Sequence, residues 1–417
     1  MRNKKIAIIG LGYVGLPLAV EFGKKYPTIG FDVNNKRVEE LSLGFDHTGE
    51  ISKRLLSSSI KLNFSSNNDS ISDCNIYIIA VPTPIDLKDQ PDLSILFSAT
   101  KLVASKLLKG DIVIYESTVY PGCTEEDCVP ILEKHSKLKY NKDFFCGYSP
   151  ERVSPGDKKR TLTKIRKITS GSTPEISKKI DNLYKSIIKA GTYNVENIKI
   201  AESAKIIENC QRDINIAFVN ELSILFDKMN IDTNKVLEAA GTKWNFLPFK
   251  PGLVGGHCIG VDPFYLTYKA KQLGYNSKII LSGRKLNNSM SKNIGERIYK
   301  KLNNDKVNNG LILGVTFKEN CPDIRNSKVF DLYKYFKQRK INVDLYDPFA
   351  SKEEVLMEYN VDLMNFAQIN NKKYNFIIIA VAHDEFLNID IKRFYQNKKS
   401  IVFDIKNIFN NDSYLTL

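Results

Sequence analysis

The turn Gly10-Leu11-Gly12-Tyr13-Val14-Gly15 constrains this chain more than any other feature. It follows the apolar, β-branched run KIAIIG at residues 5–10 and opens a helix-forming stretch at 16–25. A strand, a glycine turn and a helix in that order bring backbone N–H groups and a positive helix end close to a pyrophosphate. Residues 28–32 read as a second strand ending in Asp32. An acidic side chain there accepts hydrogen bonds from a ribose 2′-OH and repels a 2′-phosphate, which favours NAD over NADP. Lys36 and Arg37 lie near enough to weaken that preference, and Arg37 joins Gly10, Gly12, Tyr13, Val14, Gly15 and Asp32 as a candidate cofactor contact.

Further strand-like runs at 75–81 (NIYIIAV), 111–116 (DIVIYE) and 144–148 alternate with helical stretches. Such alternation predicts a doubly wound parallel sheet of the Rossmann type. Val81-Pro82-Thr83-Pro84 and Ser117-Thr118-Val119-Tyr120-Pro121-Gly122 each stop a strand. Ligands of open α/β sheets sit beyond the carboxyl ends of strands, so Val81, Pro82, Thr83, Ser117 and Thr118 should border the cofactor. Each loop is equally a plain turn signal. From about residue 200 the texture changes. Residues 201–229 form a long helical pattern free of proline and glycine, with Ile206, Ile207, Cys210, Ile214, Ala217, Phe218, Leu222 and Leu225 recurring on a wide apolar face. A face that wide needs a partner surface and predicts a homodimer. A second α/β block follows, with strands at 310–315, Asn342–Tyr346, 376–381 and Ile401–Asp404. The expected division is a cofactor domain over 1–199, a central all-helical domain over 200–303, and a Rossmann-like α/β domain over 304–417.

The 417 residues carry a net charge of +14. The lysines are scattered among asparagines, with no basic run interleaved with aromatics, so the charge reads as a solvated surface that can attract a nucleotide and not as a nucleic-acid site. Seven cysteines without a CxxC pair give neither a metal-ligand set nor a disulfide framework, which fits reduced thiols in the cytoplasm. The basic start and the apolar residues 6–20 could pass for a signal peptide, but the glycine spacing and Asp32 argue for strand, turn and helix. No apolar run reaches the roughly 20 residues of a membrane helix.

Four groups of residues carry chemistry. Cys258 sits in Gly255-Gly256-His257-Cys258-Ile259-Gly260-Val261-Asp262-Pro263, where glycines admit a ligand close to the backbone and a thiolate is nucleophilic. The other six cysteines lack such surroundings and read as small core residues. Glu151 follows Ser149-Pro150 at a strand end and precedes Arg152; a carboxylate there can act as a base, or simply be solvated. Lys205, Asn209 and Arg212 share one helix face, a spacing that suits an oxyanion site and equally a solvated stripe. Lys318 and Arg325 follow the first strand of the second α/β block and could hold a nucleotide's phosphates or base, or lie in an ordinary charged loop.

Taken together these residues resemble the nucleotide-sugar 6-dehydrogenases of the UDP-glucose/GDP-mannose dehydrogenase type. The resemblance runs from about residue 4 to 404 and is most specific over 250–265 (KPGLVGGHCIGVDPFY). Val261 stands before Asp262 where the UDP-glucose branch usually has lysine, so the segment is more similar to the branch acting on UDP-N-acetylglucosamine or UDP-N-acetylgalactosamine in capsule and O-antigen synthesis. The resemblance implies NAD and a UDP-sugar, and assigns roles. Cys258 would form a thiohemiacetal and then a thioester, Lys205 and Asn209 would steady the oxyanion and a water, and Asp262 would handle protons. Glu151 would activate the hydrolytic water and Thr118 would orient nicotinamide. Lys318 and Gly255 would contact the UDP-sugar, with Glu151, Arg152, Lys205, Asn209, Arg212 and Arg325 among the expected substrate contacts. The family's partner-subunit arginine has no clear counterpart near residues 242–250. UDP-glucose and UDP-N-acetylmannosamine are alternative substrates. A two-electron hydroxyacid or alcohol dehydrogenase, or a non-enzymatic NAD-sensing scaffold, would share the build without needing Cys258.

Overall fold

The computed structural model describes residues 4–86, 88–153, 157, 159–302 and 309–417. The chain divides into two compact units, Met1–Glu208 with Phe264–Tyr275, and Asn209–Pro263 with Asn276–Leu417.

The first unit is built on β1 (Ile6–Ile9), β2 (Thr28–Phe31), β3 (Leu62–Ser65), β4 (Ile76–Ile79), β5 (Ile112–Tyr115), β6 (Phe145–Tyr148), β7 (Lys167–Gly171) and β8 (Thr192–Asn194). They lie in the order β3-β2-β1-β4-β5-β6-β7-β8. Ile6 to Ile9 pair in parallel with Thr28 to Phe31 on one side and Ile76 to Ile79 on the other. Both faces of β1 and β4 are covered, which is why these strands read as unbroken apolar runs. The helix Gly15–Gly23 presses Leu16, Leu18 and Phe22 into the core with Ile8 and Ile78. Truncating one such fully buried side chain to alanine costs roughly 2–5 kcal/mol.

Sequence reading missed β3, β7 and β8. β3 and β8 are outer strands that alternate polar and apolar residues, and β7 carries a single apolar side chain, Ile168, among Lys167, Thr169, Ser170 and Gly171. The sheet also departs from a purely parallel one, because β7 runs antiparallel to β6, with Gly147 opposite Gly171.

The helix Ile198–Met229 follows β8 and is 32 residues long. In the second unit, the helix Lys278–Lys301 leads to a parallel sheet of β9 (Asn309–Leu313), β10 (Asn342–Tyr346), β11 (Phe376–Ile379) and β12 (Ile401–Asp404), ordered β10-β9-β11-β12. Ile312, Phe336, Phe376 and Ile378 centre its core. Among the described residues, no helix is long and apolar enough to cross a membrane.

Candidate active site

Strand order in the first sheet reverses between β1 and β4. Gly10 leaves β1 with φ +93°, where side chains are strongly disfavoured. A Cβ on Gly10 would stand 2.8 Å from the Ala80 carbonyl oxygen, and one on Gly15 only 1.8 Å from that of Gly10. On Gly12 it would meet nothing within 4 Å. The turn is therefore packed tight below and open above, which leaves room for a pyrophosphate against bare backbone. The Leu11 N–H donates to Asp32 Oδ2 at 2.8 Å and the Asn34 N–H to Oδ1 at 2.9 Å. An ionised carboxylate offers about four acceptor positions, so ribose hydroxyls can share it. These residues fit NAD. Tyr13 and Val14 are half-buried beside the turn.

Arg37, expected among the cofactor contacts, is bonded to the glycine turn itself. It is buried, its Nε and Nη2 donate to the Leu11 carbonyl at 3.0 and 2.9 Å, and its Nη1 pairs with Asp46 at 2.8 Å. It braces the glycine turn from behind, and Asp46 neutralises it.

The loops after β4 and β5 are tied to each other and to the helices. Ser117 Oγ donates to the Val81 carbonyl at 2.7 Å, and Tyr265 donates its hydroxyl to the Thr83 carbonyl at 2.9 Å. Pro82 is exposed and Thr118 half-buried. Glu202, on the long helix, accepts from the N–H groups of Gly122 at 2.6 Å and Thr124 at 3.0 Å. Burial pushes its carboxyl up to about 7, against the pull of those bonds. No local sequence signal marked Glu202.

Glu151, beyond β6, turns back on its own loop. Its Oε1 accepts from the N–H groups of Arg152 at 2.6 Å and Val153 at 2.5 Å. The Arg152 guanidinium is committed to Glu208, with Nη2 2.8 Å from Oε1. Lys205 is buried, whereas Arg212, two turns along the same helix, is exposed. The stripe seen in sequence is thus split between interior and solvent.

In the second unit, Asn209 Nδ2 donates to Asp262 Oδ2 at 2.6 Å, and both side chains are buried. Cys258 lies four residues before Asp262, and its carbonyl accepts from the Val261 and Asp262 N–H groups at 3.0 and 2.8 Å. It is half-buried, while the other six cysteines are buried. Burial, then the charges of Asp262 and Asp213, push the nearby Cys210 thiol up to about 12. The glycines around Cys258 are required by close approach. A Cβ on Gly255 would lie 2.3 Å from the Asn326 carbonyl oxygen, and one on Gly256, at φ +80°, would lie 2.6 Å from the Phe317 ring. The loop is held at both ends by a buried network. Asn220 exchanges two hydrogen bonds with Gly252, at 3.0 and 2.8 Å. Arg284, paired with Asp213 at 2.8 Å, donates to the Ile259 carbonyl at 3.2 Å.

The second sheet repeats the first sheet's turn. Gly314, at φ +91°, follows β9, and the Val315 N–H donates to Asp347 Oδ2 at 2.7 Å. Strand order reverses between β9 and β11, and beyond their carboxyl ends a pocket is lined by Gly255, Lys318, Lys328 and Lys406. Three lysines there suit a diphosphate. Sequence reading found Lys318 and Gly255 but not Lys406. Arg325 is turned to Asp323, which takes two of its nitrogens. Among the described residues no group of three or more acidic, histidine or cysteine side chains could hold a metal ion.

Two glycine turns, each following a strand of its own α/β sheet, and one accessible thiol in a glycine-lined loop describe a dinucleotide-dependent dehydrogenase. The chain belongs to the UDP-glucose/GDP-mannose dehydrogenase family. Its residues 4–188 match that family's NAD binding domain, 199–289 its central domain and 311–411 its UDP binding domain. It is 50% identical to the UDP-N-acetyl-D-glucosamine 6-dehydrogenase of Pseudomonas aeruginosa, over 99% of each chain. It is 53% identical to the enzyme of that name from Salmonella typhi, over 96% of each chain. The solved UDP-D-ManNAc dehydrogenase of Pyrococcus horikoshii superposes with a TM-score of 0.88 at 28% identity, covering 99% of this chain and 98% of that one.

Proposed function

We propose that the protein oxidises the C6 hydroxyl of UDP-N-acetylglucosamine to the carboxylate, a four-electron reaction that uses NAD and supplies a precursor for surface polysaccharide. The observation that carries this reading is Cys258, the half-buried cysteine in a glycine loop that also bears the Asn209–Asp262 hydrogen bond. The N-acetylglucosamine preference rests on the two relatives named for that sugar, identical at 50% and 53%.

NAD, bound at Gly10, Gly12, Gly15 and Asp32 and bordered by Val81, Thr83, Ser117 and Thr118, supplies the hydride acceptor for both two-electron oxidations. Cys258 adds to C6 at the aldehyde level and holds the carbon as a thiohemiacetal and then as a thioester. Covalent retention replaces recapture of a free aldehyde with a positioned step. Lys205 and the Asn209 amide stabilise the oxyanion, and Asp262 orients Asn209 and exchanges protons beside the sulfur. Glu151 accepts a proton from the water that attacks the thioester. Lys318, Lys328 and Lys406 hold the diphosphate next to Gly255.

We assign cofactor binding to residues 1–199, nucleophile and assembly to 200–303, and the UDP moiety to 304–417. A homodimer fits the exposed apolar side chains of Phe218, Leu225 and Met229, with Trp244 92% exposed nearby in sequence. A cytoplasmic location fits a nucleophile that must stay reduced.

The test is the yield of NADH per sugar under limiting UDP-N-acetylglucosamine, with UDP-N-acetylgalactosamine and UDP-glucose in parallel. Two NADH per sugar is expected, fastest with the glucosamine derivative. One NADH with release of an aldehyde overturns the reading.

A further inference from the structure

We infer that Lys167, held by Glu116 and Tyr184, is a positioning residue that sets a positive charge beside the Glu151 carboxylate and aims it for the water that releases the acid. The inference rests on the proposed role of Glu151 as the water-activating base.

The reversal of β7 creates the arrangement. Parallel strands end at the cofactor edge of the sheet, but β7 runs antiparallel to β6 and therefore begins there. Lys167, its first residue, is carried to the loop that follows β6. Its ammonium donates to the Pro150 carbonyl at 2.9 Å and to Glu116, and lies 3.7 Å from Glu151 Oε2. Lys167 and Glu116 are both buried. A buried ammonium needs a counter-charge, and Glu116 supplies it, with the Tyr184 hydroxyl donating to its other oxygen.

The two Glu151 oxygens are handled differently. Oε1 is fixed by the N–H groups of Arg152 and Val153. Oε2 faces Lys167 from beyond hydrogen-bond distance, so the ammonium acts on it as a charge and leaves its lone pairs to water. Without Lys167 the Glu116 and Glu151 carboxylates would repel each other and favour the neutral acids. Burial already pushes Glu116 up to about 7, with Lys167 pulling down and Glu151 pushing up. The charged group facing this pair is Lys167, with the neutral Tyr184 hydroxyl donating to Glu116, and Arg152 is engaged by Glu208. In the step itself, water oxygen bonds to the thioester carbon, its proton passes to Glu151 Oε2, and the carbon–sulfur bond breaks to return the Cys258 thiolate.

The experiment follows the full-length enzyme with UDP-N-acetylglucosamine in rapid mixing, separating the first-hydride burst from thioester hydrolysis across pH. For Lys167→Met, the acid limb of hydrolysis should rise by about one pH unit, and on that limb hydrolysis should slow about tenfold relative to the burst. Lys167→Arg should restore the limb. Glu116→Gln/Lys167→Met leaves no unpaired charge buried; because it removes the repulsion of Glu116 together with the attraction of Lys167, its limb should rise by less than that of Lys167→Met. An unshifted limb in a folded variant, or equal slowing of both phases without rescue by arginine, overturns the inference. A wild-type yield of one NADH per sugar overturns the proposed reaction and this inference with it; two NADH with an unshifted limb overturns the inference alone.

Discussion

The Asn209 amide donates to the Asp262 carboxylate at 2.6 Å, with both side chains buried. That bond uses one of the two amide hydrogens and fixes which way the amide faces. The second hydrogen is then presented at a set angle, which is what an oxyanion donor needs. Asn209→Ala should lower kcat by about 10²-fold, with a smaller change in KM for the sugar. Asn209→Asp would set two carboxylates against each other and raise the acid limb of kcat. A rise in KM at unchanged kcat would show that Asn209 only binds.

Cys258 is half-buried and the other six of the seven cysteines are buried. Iodoacetamide should therefore modify one thiol in the native enzyme and all seven in denaturant, with the native label at Cys258. Activity should fall in proportion to that label. Cys258→Ser should form no uronate. Full activity with Cys258 alkylated would remove it from the chemistry.

Glu202 ties the loop after β5 to the long helix, and burial pushes its carboxyl up to about 7 from an ordinary 4.5. The native state thus holds a proton more tightly than the unfolded chain. Its contribution to stability is fully present below pH 4.5 and is lost as pH rises through about 7. The loss is at most about 3 kcal/mol. Urea midpoints measured from pH 4.5 to 8 should fall more for wild type than for Glu202→Gln. Parallel curves would mean that Glu202 titrates normally.

What was legible in the sequence was local. Gly10, Asp32, Asn209, Cys258 and Asp262 are each marked by neighbours within a few residues, because turn geometry and helix spacing are written in short segments. Lys167, Glu116 and Glu202 were not legible, because their partners lie 51 to 80 residues away and meet only through strand order. The reversal of β7 has no local signature. Arg37 was marked by its place next to the cofactor turn, but its bond to the Leu11 carbonyl and its pairing with Asp46 carried no local signal. Arg212 shares the spacing of Lys205 and Asn209, but periodicity alone does not say which part of a helix face is covered.

The two glycine turns give the last prediction. Asp32 and Asp347 make the same bonds, each to the N–H after a left-handed glycine, at 2.8 and 2.7 Å, and each to the N–H two residues on, at 2.9 and 2.8 Å. They differ in what else reaches them. Asp32 is half-buried, whereas Asp347 is buried against His383 Nε2 at 3.0 Å. Burial raises the Asp347 carboxyl, but His383 and the backbone donors outweigh it and hold the group below the usual range. One turn is thus left open to a ribose and the other closed by a side chain. Asp32→Ala should raise KM for NAD by about 10- to 100-fold, the value of hydrogen bonds to a charged acceptor. Asp347→Ala should leave KM for NAD unchanged and lower stability by about 3–5 kcal/mol, because it removes one partner of a buried pair. Measuring both quantities on both variants separates the turns, and a change in KM for NAD with Asp347→Ala would contradict the division.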